Sequence, residues 1–318
     1  MKIVFAGSDE LAVPVLEALA AKYKAALAGV ITQPDRCAGR GLKLCATPVK
    51  ELAVKYQLPV YQPVDINTTG FQALLKGLRP DLGIVVAYGQ KISTAVLNIP
   101  HYGWVNLHPS LLPYYRGAAP VVAALKNGAT ETGVTLFRLS EKMDAGPIIS
   151  QKAVRIDENE SAAELAGRLI RTGIELLLEA LTLFEQGKVV FIPQDETKAT
   201  YAGRLKKEDG LIDWSRPARE IHNLVRAFQP WPGAYTLYKR GNEAPLKIEI
   251  IRTAVASGHI QANNPPGTVE ECNRDGLVIR AGDGHLLVKR VKPAGKKTME
   301  ACDFINGYRL KTGDRFDL

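Results

Sequence analysis

Cysteine is scarce in this chain of 318 residues: Cys37, Cys45, Cys272 and Cys302 are the only four, and none forms a C-x-x-C pair. That spacing argues against a zinc framework, and unpaired thiols suit a reducing compartment better than a disulfide-stapled scaffold. The five histidines are scattered, with no H-x-x-x-H pair to seat a metal on one helix face. No apolar run approaches the ~20 residues that span a bilayer. The amino-terminal "MKIVFAGSDELAVPVLEALA" is broken by Asp9 and Glu10 before it resembles a signal segment. "FAGSDELA" also lacks the G-x-G-x-x-G spacing of a dinucleotide fingerprint, which counts against a nucleotide-binding oxidoreductase. These absences lead to the expectation of a cytoplasmic protein that uses no metal and no membrane. Its composition, 46% hydrophobic and 23% charged, is that of an ordinary globular chain.

Acidic charge is in deficit. The net charge is +8, and from Lys206 onward 19 Lys and Arg face 14 Asp and Glu. Such an excess favours a polyanionic partner, although many soluble proteins are mildly basic without one.

The first half alternates short strand-like runs with helical ones. "KIVFAG" leads into "AVPVLEALAAKY", whose apolar residues recur at helical spacing. "ALAGVIT" is a second strand, followed by an irregular Gly/Arg/Pro loop over 33–48. "VKELAVKYQ" and "FQALLKGLRP" read as helices. "DLGIVVAYG" is a continuous apolar run, the mark of a strand covered on both faces. "GWVNLHPS" is a further strand and "AAPVVAALKNG" a helix. This order predicts an open, mostly parallel α/β sheet whose ligands sit beyond the carboxyl ends of its strands. A long amphipathic helix occupies 161–187, with Leu165, Leu169, Ile174, Leu177 and Leu181 among its apolar positions. After an irregular stretch come five short strand-like runs with turn signals between them, which suggests a small antiparallel barrel.

Two stretches can carry chemistry. In "WVNLHPSLLPYYRGAAP", residues 104–120, strand alternation puts Asn106 and His108 on one face. An amide there can donate to a developing oxyanion, and an imidazole can move a proton near neutral pH. The prolines pin the loop that follows. A strand-end histidine is nonetheless more often a packed, hydrogen-bonded core residue. In "TGVTLFRLSEKMDAGPII", residues 132–149, Asp144 precedes a glycine turn, where a carboxylate can either orient the histidine or serve a routine Asx turn.

Taken together, these two stretches resemble the formyltransferases that use 10-formyltetrahydrofolate. The resemblance implies a catalytic triad of Asn106, His108 and Asp144, and a folate-binding segment of Ser110, Leu111, Leu112 and Pro113. It also makes "AYGQKI", residues 87–92, the other wall of the pterin pocket. The loop at 32–50 and the stretch at 201–235 look like those of family members that formylate methionyl-tRNA. That likeness implies transfer of the formyl group to the free α-amino group of methionyl initiator tRNA, for translation initiation. Arg36 and Arg40 would then clamp the tRNA acceptor end, and the basic run at 289–297 would face either tRNA phosphates or solvent. The alternative acceptor is an amino sugar nucleotide. The implied architecture is α/β: a Rossmann-like, mostly parallel catalytic domain over 1–187, a linker over 188–205, and an OB-like antiparallel barrel over 206–318 that binds tRNA. The protein is expected to be a monomer.

Overall fold

The computed structural model describes residues 1–38, 43–239, 244–256 and 264–316. Two compact units divide the chain. One comprises Met1–Pro120, Thr132–Arg155 and Ala166–Ala202; the other comprises Val121–Glu131, Ile156–Leu165 and Gly203–Leu318.

The chain begins with β1 (Ile3–Gly7), α1 (Val13–Tyr23) and β2 (Leu27–Ile31). A small antiparallel hairpin follows, β3 (Arg36–Ala38) with β4 (Lys43–Cys45), where the sequence suggested only irregular loop. Next come α2 (Pro48–Lys55), β5 (Val60–Tyr61), α3 (Thr69–Leu78), β6 (Leu82–Val86), α4 (Thr94–Leu97) and β7 (Trp104–His108). The remaining elements of this stretch are β8 (Arg116–Gly117), α5 (Pro120–Lys126), β9 (Glu131–Arg138), β10 (Ile148–Arg155), α6 (Ala162–Glu185) and β11 (Tyr201–Ala202). Thr47 and Thr68 cap α2 and α3 by accepting from Lys50 N–H and Phe71 N–H, so each helix starts where a free donor finds an oxygen.

The central sheet has the order β10-β9-β7-β6-β1-β2-β5. β1 is parallel to both β2 and β6, β7 is parallel to β6, and β9 runs antiparallel to β7. The result is the Rossmann-like, mostly parallel sheet expected. From β1 the chain winds outward to β2 and β5, then returns to β6 on the other side of β1. The β1/β6 boundary is therefore the switch point at which such sheets open a crevice. All five residues of β1 are buried, as an apolar run sandwiched between helices requires. Gly83 on β6 pairs with Trp104 on β7, and a Cβ at Gly83 would overlap the indole ring. Glycine is what lets that ring lie flat across the neighbouring strand, with its Nε1 donating to the Val96 carbonyl at 3.0 Å. This packing fixes the start of the strand that ends in His108.

Of the linker expected over 188–205, residues 188–202 belong to the first unit and hydrogen-bond within it. Ile192 bridges Ile148, and β11 pairs with β8. A run with no sequence period can still be ordered by side-chain and two-residue backbone contacts.

The second unit contains α7 (Ala218–Ala227), β12 (Ala234–Tyr238), β13 (Leu246–Val255), β14 (Val269–Asn273), β15 (Gly276–Arg280), β16 (His285–Pro293), β17 (Met299–Glu300) and α8 (Ala301–Tyr308). Its sheet runs β12-β13-β16-β15-β14, with β17 beside β16, and its paired strands are antiparallel. Phe316 bridges Tyr238 on one edge strand, and Arg315 bridges Thr268 next to the other. One short terminal segment thus joins both edges and closes the sheet towards a barrel, which removes the exposed edges that invite aggregation. Trp214, Ile221, Val225, Ile250, Val288, Phe304 and Phe316 lie in the core beneath it.

Candidate active site

The site begins at the carboxyl end of β7. Asn106 pairs with Val85 on β6 and Phe137 on β9, which places it in the middle of the sheet. Its half-buried amide hydrogen-bonds none of the described residues, so both of its donors are open. His108, two residues on and 4% exposed, shares that face.

The His108 imidazole is gripped on both sides. Its Nε2 lies 3.0 Å from the Tyr115 carbonyl, and the edge of its ring meets Phe137. A carbonyl can only accept, so Nε2 carries a hydrogen and Nδ1 is the nitrogen able to take up a proton. Nδ1 faces Asp144 Oδ2 at 3.8 Å. Burial pushes the imidazole below its ordinary pKa of 6.5, opposed by the Asp144 carboxylate and the Tyr115 carbonyl. The group is therefore neutral at physiological pH, and a protonated form is sheltered next to a carboxylate. The sequence-level trio of Asn106, His108 and Asp144 includes one close pair, His108 with Asp144, and an open amide on the same strand face.

Asp144 is held in the left-handed region at φ +50°, where a non-glycine residue needs support. Its Oδ2 accepts from Gly117 N–H at 2.8 Å, and its carbonyl accepts from the Gln194 side chain at 2.8 Å.

The loop after β7 is stiffened from within. Ser110 is fully buried; its N–H donates to the His108 carbonyl and its hydroxyl to the Tyr114 carbonyl. The buried Thr135 hydroxyl on β9 donates to the Ser110 carbonyl at 2.7 Å and accepts from Leu112 N–H at 3.0 Å. Gln151 donates to the Leu112 carbonyl at 2.8 Å. Of the expected folate-binding residues, Ser110 and Leu112 point inward and shape the loop. Leu111 and Pro113 are the partly exposed pair that can meet a flat ligand. In the 87–92 segment, the Tyr88 and Ile92 side chains pack into the apolar cluster with Val4, Ile66 and Trp104. The start of the same segment, Ala87, Tyr88 and Gly89, also borders the cavity at the switch point.

At the switch point a cavity of about 400 Å³ is lined by Ser8, Asp9, Gln33, Arg36, Thr47 and Gly89, among others. Arg36 is exposed at this cavity and donates to Gln33 Oε1 at 3.1 Å. Arg40 lies outside the described residues. In the basic run at 289–297, Arg290 pairs with Glu300 and Lys292 with Glu249 across strands, so part of that charge is internally compensated.

Sequence reasoning missed Thr135, Gln151, Arg116 and Gln194. Arg116 stood in the stretch that attracted attention, but nothing in its spacing announced a buried role. Gln194 lies in an irregular run that offered no signal.

Comparison with known proteins gives the family. The family model described as formyl transferase matches residues 1–181, and the one described as formyl transferase, C-terminal domain, matches residues 204–309. The methionyl-tRNA formyltransferase of Roseiflexus castenholzii is 45% identical over 315 residues, covering 99% of this chain and 98% of the relative. That of Moorella thermoacetica is 45% identical over 314 residues, again covering 99% and 98%. Among solved structures, an N-formyltransferase from Helicobacter canadensis, in complex with folinic acid and dTDP-3-aminofucose, superposes with a TM-score of 0.68. It is 20% identical over 91% of this chain and 98% of that one, a likeness of fold alone. A buried, neutral histidine beside a clamped carboxylate and an open strand-end amide thus sits in a chain matched over nearly its whole length, and the chain belongs to the formyl transferase family.

Proposed function

We propose that this enzyme transfers the formyl group of 10-formyltetrahydrofolate to the free α-amino group of methionyl initiator tRNA. End-to-end identity of 45% with methionyl-tRNA formyltransferases is the observation that carries the acceptor. In this reading Asn106, His108 and Asp144 do the chemistry. The neutral amine attacks the formyl carbon, a new C–N bond forms, and the carbonyl oxygen becomes an oxyanion. The open Asn106 amide donates to that oxyanion, a contact worth roughly 3 kcal/mol by analogy with known oxyanion holes. His108 Nδ1 takes the amine proton, and the resulting imidazolium is stabilised by Asp144. The proton then passes to the folate nitrogen as its bond to carbon breaks, releasing tetrahydrofolate. The balance closes with no covalent enzyme intermediate.

Leu111 and Pro113, on the loop fixed by Ser110 and Leu112, would line the folate site. The switch-point cavity, one strand over from Asn106, would receive the methionyl end, with Arg36 and Arg40 holding the acceptor stem. Phosphate contacts of this kind make tRNA affinity fall steeply with salt. The deciding experiment supplies 10-formyltetrahydrofolate with either methionyl-tRNA or an amino sugar nucleotide and follows which amine is formylated. Formylation of the sugar and not of the aminoacyl-tRNA would overturn the acceptor assignment.

A further inference from the structure

We propose that Arg116 and Gln194 are positioning residues for the His108–Asp144 pair, with the Arg116 guanidinium aiming the Gln194 amide so that it clamps the backbone of residue 144. The proposal rests on the reading that this pair moves the proton.

Three consecutive residues hold both partners. The Tyr115 carbonyl takes His108 Nε2, Gly117 N–H takes the Asp144 carboxylate, and between them the Arg116 side chain reaches Gln194. Arg116 is 1% exposed. Its Nε and Nη2 donate to Gln194 Oε1 at 3.2 and 2.7 Å, and its Nη1 and Nη2 donate to the two Glu196 oxygens at 3.1 and 2.6 Å. Glu196 balances the buried charge, leaving the fork to orient the amide. A guanidinium offers only donors, so Oε1 must face it and Nε2 must face away. Nε2 then donates to the Asp144 carbonyl at 2.8 Å and the Gly146 carbonyl at 2.7 Å, one on each side of Ala145. These bonds, with the one from Gly117, hold Asp144 in its left-handed conformation and set the 3.8 Å approach to His108. Gly117 itself must be glycine, because its φ is +116° and a Cβ would overlap the Ala202 carbonyl on the paired strand β11.

The design predicts what fails when the clamp is cut. Asp144 is the charged group acting on His108; its other close neighbours are the Tyr115 carbonyl and the Phe137 ring. Losing the carboxylate's approach lets burial depress the imidazole further. Because His108 must be neutral to take the proton, the acid limb of the kcat/KM profile then moves to lower pH.

The test compares wild type, Asp144→Asn, Gln194→Glu, Gln194→Asn and Arg116→Lys, each checked for folding by circular dichroism and for binding of 5-formyltetrahydrofolate. Gln194→Glu keeps the side-chain shape and the contact with Arg116 but presents an oxygen to two carbonyls. Gln194→Asn is too short to span them, and Arg116→Lys keeps the charge without the planar fork. The expected result is a kcat loss of tenfold or more with KM for both substrates within twofold, and an acid limb displaced downward as in Asp144→Asn. Should one variant fail to fold, the other two decide. Unchanged kcat, or a loss with the limb in place, overturns the positioning role. If Asp144→Asn itself leaves the limb unmoved, the reading of the pair fails and takes the proposal with it.

Discussion

Replacing Thr135 by valine isolates what one buried hydroxyl contributes to this site. Valine has nearly the same shape, so no cavity opens, but three hydrogen bonds vanish: to the Ser110 carbonyl, from Leu112 N–H and from the Gln151 amide. Gln151 keeps its bond to the Leu112 carbonyl. The Ser110 carbonyl and Leu112 N–H are left buried without another partner among the described residues. Each orphaned group costs about 1–3 kcal/mol, so the pair costs roughly 2–6 kcal/mol, less about 1 kcal/mol for the extra buried methyl. A loss of about 3 kcal/mol lowers the melting temperature of a unit this size by roughly 6–12 °C. The protein has one way to avoid that penalty. The loop can swing out and give both groups to water, but then Leu111 and Pro113 are no longer presented and folate binding falls instead. Thermal denaturation and titration with 5-formyltetrahydrofolate together cover both routes. A Thr135→Val protein that melts within about 1 °C of wild type and binds within twofold would show that the hydroxyl does not hold the loop.

Three further predictions follow from other parts of the molecule. Two full charges 3.8 Å apart attract by about 4 kcal/mol at an effective dielectric of 20, so a transition state with half that charge on His108 loses about 2 kcal/mol in Asp144→Asn. Single-turnover formylation should slow roughly thirtyfold, and a rate within threefold of wild type would contradict the role of the carboxylate. Arg36→Ala should raise KM for methionyl-tRNA several-fold and reduce its salt dependence while leaving folate affinity alone; unaltered tRNA kinetics would remove Arg36 from the interface. In the second unit, burial pushes His222 below its ordinary pKa, so the unfolded chain binds a proton near pH 6.5 that the folded one refuses. Stability is then full above that pH and declines as pH falls through it, and His222→Gln should flatten the slope of melting temperature between pH 7 and 5.

Much of this was legible because periodicity reports burial. β1, β2, β6 and β7 are buried strands and read as apolar runs, while α1 and α6 carry apolar positions at helical spacing. The N-x-H spacing was informative for the same reason, since alternation alone puts both side chains on one face. Elements too short to have a period were not legible. β8 and β11 hold two residues each, and their pairing lies in backbone hydrogen bonds that no side-chain pattern announces. The hairpin of β3 and β4 read as loop because three-residue strands are outweighed by the Gly and Pro around them. Tyr88 belongs both to a buried apolar cluster and to the lining of the switch-point cavity, a double role that a local apolar pattern does not announce.

The same distinction explains why the residues of the site were easier to find than its geometry. Asn106 and His108 are placed by one strand, so local sequence suffices. The approach of Asp144 depends on Gly117, which lies 27 residues away, and on Gln194, which lies 50 residues away. Under the proposed mechanism, those contacts decide whether the imidazole is an inert core residue or a base. A buried histidine bonded only to a carbonyl would stay neutral throughout and do no acid–base work. The same ring with a clamped carboxylate at Nδ1 can accept a proton for the lifetime of a tetrahedral intermediate and give it up again. In the proposed mechanism the chemistry therefore resides less in the three side chains than in the fixed distance between two of them, which the fold would set through residues that never need to touch substrate.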